Sequence, residues 1–201
     1  LNVKGRVLPA TDSRVVLVAT HEDGTKSTGE QSISRARRPV SGLELKPVPP
    51  RISNEIAVAV READLVVLGP GSLLTSIIPN LLVPGMSDAV AACKGRVLLV
   101  ANLATQPGET DGFDLERHVS TLRELGRLKR IDGVLVHDGH VGEAAAARYA
   151  ASGAALLAAP KTTTVAGVPV DATPSGWMSR LAYSVVFPCT TYGSSTCHRW
   201  V

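Results

Sequence analysis

Three short apolar runs constrain this chain more than anything else in it. Leu65-Val66-Val67-Leu68, Arg96 to Val100 and Gly133 to Val136 carry almost no polar interruption. A strand with one solvated face alternates, whereas a strand buried on both faces does not. Between the runs lie segments with helical spacing. Ser53 can cap a helix reaching about Ala63, with Ile56, Val60 and Ala63 along one face. A second helix is expected around 87–93, and Asp114 can cap a third over 115–125, stopped by Gly126. An Ala-rich helix is expected over 142–151, followed by a fourth strand at Ala155 to Ala158. Strands alternating with helices at this interval predict an α/β fold with a parallel sheet flanked by helices.

The first 50 residues behave differently. Val15 to Ala19 reads as a strand, and Asp23-Gly24 is a hairpin turn signal. Residues 25–33 are expected to return beside that strand, and Leu43 to Val48 gives a third extended segment before Pro49-Pro50. This predicts a β-rich excursion over 1–50, an α/β portion over 51–170 and an atypical stretch over 171–201. Five of the seven aromatic residues and two of the three cysteines, Cys189 and Cys197, fall in that last stretch, and no acidic residue follows Asp171. A small docking tail, a Cys189–Cys197 loop and sequence foreign to the rest compete there, and the third is favoured.

Composition excludes several classes. The chain has 201 residues, 44% of them hydrophobic, which argues against disorder and allows a sizeable core. A net charge of +3 is too mild to imply a nucleic-acid partner. No apolar run approaches the roughly 20 residues that span a bilayer, so no membrane partner is expected. Three scattered cysteines are no disulfide framework, and the opening Leu1-Asn2-Val3-Lys4 has no signal-peptide architecture. A cytoplasmic protein is expected, with a homo-oligomer left open.

In open parallel sheets ligands bind beyond the carboxyl ends of the strands. The loop after 65–68 is Gly69-Pro70-Gly71-Ser72, opening into Leu73-Leu74-Thr75-Ser76. Glycines let a backbone approach an anion, a helix start offers unpaired N–H groups, and Ser72, Thr75 and Ser76 add hydroxyls. A tight strand–helix turn would need the same glycines. The loop after 96–100 runs from Asn102 through Thr105, Gln106, Glu109, Thr110 and Asp111 to Gly112. Asn102 and Gln106 could read a base or sugar edge, and Glu109 with Asp111 could hold a hydrated Mg²⁺. The third loop, His137-Asp138-Gly139-His140, lacks the further ligands a zinc site needs. No nucleophile–base pair stands out, and no catalytic residue is assigned.

The run Gly69-Pro70-Gly71-Ser72-Leu73-Leu74-Thr75-Ser76-Ile77-Ile78-Pro79-Asn80-Leu81-Leu82-Val83 closely resembles a signature of the gluconeogenesis factor family, the YvcK-like branch of the CofD-like superfamily. Asn102 to Gly112 is similar to its second signature, and Leu8-Pro9-Ala10-Thr11-Asp12 to a third. The resemblance implies a Rossmann-like fold, present here as a C-terminal portion without the family's N-terminal Gly-rich loop. It implies a regulatory protein, leaning away from an enzyme, that binds a nucleotide-sugar such as UDP-N-acetylglucosamine. Such proteins support cell shape and cell-wall growth on gluconeogenic carbon sources. Gly69, Gly71, Ser72 and Thr75 would receive phosphate, Asn80 and Asn102 would orient ligand or loop, and Thr11 and Asp12 would border the cleft. The alternative is a 2-phospho-L-lactate transferase-like enzyme of coenzyme F420 synthesis, with Mg²⁺ as its metal.

Overall fold

A computed structural model describes residues 6–137, 141–173 and 185–187. The excursion is a three-stranded antiparallel sheet, with β1 (Val16–His21) central between β2 (Lys26–Thr28) and β3 (Val40–Lys46). The Asp23-Gly24 turn forms as expected, with Gly24 at φ 80° and the Asp23 carboxylate accepting from the Thr25 N–H at 3.0 Å. The return strand is shorter than the sequence suggests. It ends at Thr28, and α1 (Glu30–Ala36) follows. Glu30 sits in the first turn of α1 and Arg35 in the last, the arrangement the helix dipole favours. Ile33 of α1 is fully buried beside Leu17, Ala19 and Leu45.

After the excursion the chain runs α2 (Asn54–Arg61), β4 (Leu65–Leu68), α3 (Ile78–Leu81), α4 (Met86–Ala91), β5 (Arg96–Val100), α5 (Leu115–Glu124), β6 (Gly133–His137) and α6 (Glu143–Ala151), with the strands in a second sheet. Between β4 and α3 the chain makes a wide π-type turn over Leu73–Ile77. Ser53 caps α2 by accepting from the Ile56 N–H at 3.2 Å, and Asp114 caps α5 by accepting from Arg117 at 2.8 Å. The expected strand at Ala155 to Ala158 does not form. That segment makes one bridge, Ala104 to Leu156, and the fourth parallel strand comes later. After β7 (Thr164–Val165), β8 (Val168–Thr173) pairs parallel with β6, and β9 (Val185–Phe187) pairs parallel with β4. The sheet order is β7-β8-β6-β5-β4-β9, parallel except for β7. A boundary drawn at residue 171 therefore falls inside β8.

The apolar runs explain the arrangement. Val66, Leu68, Val97, Leu99, Val134 and Val136 belong to one buried cluster with Ile56 and Val60 of α2, Val90 of α4 and Leu122 of α5. Leu17, Ile33 and Leu45 of the excursion join the same cluster, so the two sheets share a core. A further clamp lies at the amino ends of the strands. The Asp132 carboxylate accepts from the Val97 N–H at 2.8 Å, while Arg130 donates to the Gly95 carbonyl at 2.8 Å and to Asp132. No helix among the described residues is long and apolar enough to cross a membrane.

Candidate functional site

Because β4, β5 and β6 run parallel in neighbouring positions, their carboxyl ends lie along one edge. The loops that leave β4 and β5 there are bound to each other by side chains. Asn102 makes a reciprocal pair with the Gly71 peptide, its Oδ1 accepting from the Gly71 N–H at 3.0 Å and its Nδ2 donating to the Gly71 carbonyl at 2.9 Å. Gln106 donates to the Ser72 hydroxyl at 2.7 Å. The Gln106 Oε1 is buried with no partner among the described residues.

Glycine is required in the first loop at Gly69. Its φ is 86°, and a Cβ there would come within 2.9 Å of the Val100 carbonyl. Gly71 has no such strain, and a Cβ on it would meet only ordinary contacts, at 3.8 Å from Ser76. The peptide between Gly69 and Pro70 is cis. Ser72 occupies the cap position of the following turn without a side-chain cap bond. The first N–H groups of that turn are therefore left without a hydroxyl partner from Ser72.

Other residues of the two loops turn inward. Asn80 is buried and donates to the Ser76 carbonyl at 2.7 Å, holding the wide turn. Thr105 is buried, accepting from the Ala155 N–H at 2.9 Å, and buried Thr110 accepts from the Gln106 N–H at 2.8 Å. Thr11 accepts from the Ser13 N–H at 3.1 Å, and Asp12 is exposed. The structure thus brings Gly71, Ser72, Asn102 and Gln106 together, and ties Asn80, Thr105 and Thr110 into the scaffold beneath them.

Glu109 joins three parts of the molecule. Its carboxylate accepts from the Ser34 hydroxyl of α1 at 2.7 Å and from the Thr75 hydroxyl at 3.1 Å. Burial raises the Glu109 pKa above its ordinary value, the two hydroxyl donors oppose that rise, and nearby Glu30 adds to it. The Asp111 carboxylate accepts from the Gly108 N–H at 2.6 Å. Both Glu109 oxygens accept from protein hydroxyls and one Asp111 oxygen accepts from a backbone N–H, so a Mg²⁺ held between them would compete with those bonds. Among the described residues no group of three or more His, Cys, Asp or Glu side chains could hold a metal ion. The part of the third loop from Asp138 to His140, at which the sequence predicts no zinc site, lies outside the described residues, as do Cys189 and Cys197.

A cavity of about 440 Å³ opens beside Glu109. Gly108, Glu109 and Asp111 form one wall, Leu74 another, Arg37 to Ser41 a third, and Phe113 with Arg117, Thr121 and Leu125 of α5 a fourth. Ser34 and the cavity residues after α1 and on α5 carry no motif in the sequence. The placement of Glu30 and Arg35 could have marked 30–36 as a helix, but nothing local marks Ser34 as a partner of the second loop.

The description "2-phospho-L-lactate transferase CofD" matches residues 1–173 of this chain. A gluconeogenesis factor of Halalkalibacterium halodurans is 39% identical over 150 residues, covering 75% of this chain and 47% of that protein. The gluconeogenesis factor of Bacillus subtilis is 38% identical over 149 residues, covering 74% and 47%. The chain spans about half the length of these relatives. A crystal structure of a Bacillus halodurans protein superposes with a TM-score of 0.80 at 36% identity, over 87% of this chain and 56% of that one. Another, titled as a member of the UPF0052 family, gives 0.77 at 36% identity, over 86% and 57%.

Proposed function

The chain belongs to the CofD family, and from that premise we propose that it is the nucleotide-sugar-binding portion of a gluconeogenesis factor, a cytoplasmic regulatory protein rather than an enzyme. Its ligand is a UDP-sugar such as UDP-N-acetylglucosamine, and the protein serves cell shape and cell-wall growth on gluconeogenic carbon sources. The gluconeogenesis factors among its relatives support the regulatory role. One observation carries the binding site. Two loops at the carboxyl edge of adjacent parallel strands are locked together by Asn102 and Gln106, and the turn that starts at Ser72 has no side-chain cap. Such a turn start offers N–H groups to a diphosphate at little cost in ordering, because the loops are already held.

Titration calorimetry with UDP-N-acetylglucosamine tests this on the 201-residue chain and its Gly71→Ala variant. The added methyl fits the folded backbone, so the variant should keep its circular dichroism. We expect affinity to fall at least tenfold, about 1.4 kcal/mol. Unchanged affinity in the folded variant would remove the phosphate from this loop.

A second reading follows from the family itself, a 2-phospho-L-lactate transferase, for which the resemblance of the loop signatures implies a deazaflavin acceptor. Its Mg²⁺ would have to displace the hydroxyls bonded to Glu109 and the Gly108 N–H bonded to Asp111, or take other ligands. Mass spectrometry of a reaction with Mg²⁺, an activated phospholactate donor and a deazaflavin alcohol separates the two. The regulatory reading predicts no product, and metal-dependent product would replace it.

A further inference from the structure

The cavity beside Glu109 is lined by none of Gly71, Ser72, Asn102 and Gln106, so it is a second space, apart from the locked loops. Its 440 Å³ falls within the range of about 300–1,000 Å³ that small-molecule sites occupy. Two of its lining residues, Leu74 and Thr121, are buried. The Thr121 hydroxyl is buried with no hydrogen-bond partner among the described residues. A threonine inside a helix ordinarily returns its hydroxyl to the carbonyl one turn back, and this one does not. A buried hydroxyl left unpaired costs stability, so its persistence in a cavity wall points to a guest that bonds it. Arg37, on another wall, ends α1 in the left-handed conformation at φ 47°, ψ 44°. Strained non-glycine backbone of this kind gathers at ligand sites.

The charges of the lining narrow the chemistry. Three guanidiniums and four carboxylates belong to it. Arg38 is paired with Asp23 at 3.2 Å and Arg117 with Glu124 at 3.8 Å. Arg37, Glu22 and Asp111, all exposed, have no ion-pair partner among the described residues. One unpaired guanidinium against two unpaired carboxylates disfavours a simple anion, and a guest with cations alone would leave Arg37 unanswered. A guest with one carboxylate and two ammonium groups matches all three. Leu74 and half-buried Phe113 offer apolar surface to a methylene chain between those groups. The remaining carboxylate, half-buried Glu109, is pushed toward its neutral form by burial, and an ammonium beside it would oppose that push.

We propose that this cavity is a second binding site, for an amino acid with a basic side chain. The α-carboxylate pairs with Arg37 and the α-ammonium with Glu22 and Asp111. The chain crosses Leu74 and Phe113, and its terminal ammonium donates to Glu109 and to the Thr121 hydroxyl. The site does not depend on the nucleotide-sugar reading of the loops. Calorimetry with L-lysine on the 201-residue chain tests it, with L-norleucine, cadaverine and L-glutamate as comparisons. Norleucine lacks the terminal ammonium, cadaverine lacks the carboxylate, and glutamate reverses the terminal charge. Each should bind at least tenfold more weakly than lysine. Thr121→Val removes an unpaired hydroxyl and keeps the side-chain shape, so the fold should hold. Arg37→Asn tolerates the left-handed backbone. Both variants should weaken lysine at least fivefold, and saturating UDP-N-acetylglucosamine should leave its affinity within twofold. Lysine binding that is undetectable at millimolar concentration, equalled by any of the three comparisons, or unchanged in either variant overturns the proposal. Competitive loss of lysine to the UDP-sugar overturns it too, because the amino acid would then lie on the loops.

Discussion

At the scale of single residues, the second loop acts through hydrogen bonds that its side chains make to backbone. Asn102 satisfies both groups of the Gly71 peptide. Replacing it with Ala leaves a part-buried N–H and carbonyl unpaired, and we expect a loss of about 1–3 kcal/mol in urea denaturation. Asn102→Asp keeps the acceptor and loses the donor, so its stability should fall between the two. His118 gives a pH signature. It is buried, and burial lowers its pKa below the ordinary 6.5, opposed by its contact with the Asp114 carbonyl at 2.7 Å. A depressed histidine favours the fold while neutral. That stability is present above 6.5 and is lost as pH falls through the unfolded value toward the folded one. Thermal melts between pH 7.5 and 5 should therefore show a decline that His118→Leu reduces. An identical decline in both proteins would place the titration elsewhere.

At the scale of elements, the parallel strands were legible because burial on both faces writes itself as an uninterrupted apolar run. The caps were legible because an oxygen-bearing side chain must sit where the helix N–H groups are unpaired. Ser53 and Asp114 both make those bonds. Asp114→Ala should cost about 1 kcal/mol in denaturation. Two elements were misread for one reason. Ala155 to Ala158 and residues 29–33 are short, and a window of four or five residues cannot separate strand from loop or helix. Pairing partners decide such segments. Val168–Thr173 became the strand because β6 offered it a free edge, and Ala155 was left bonding to Thr105. The site shows the same division. Loops with Gly, Asn and Gln announced themselves, whereas the cavity is assembled from residues 22–125 and has no local signal.

At the scale of the molecule, two sheets share one core and meet at a half-buried carboxylate. Ser34 of the excursion, Thr75 of the first loop and Glu109 of the second are bonded together. A Ser34→Ala, Thr75→Val double variant should loosen that junction without touching β4, β5 or β6. We expect faster amide exchange in β1, β2 and β3, with exchange in the parallel strands unchanged. The central claim is that the ligand lies on the carboxyl edge of the parallel sheet, over the locked loops. Hydrogen–deuterium exchange with and without saturating UDP-N-acetylglucosamine tests it most directly. The account predicts added protection in residues 69–77 and 102–113, with none at the amino edge around 93–96 and 130–132. Protection at that amino edge, or none anywhere while binding is shown by calorimetry, would contradict it.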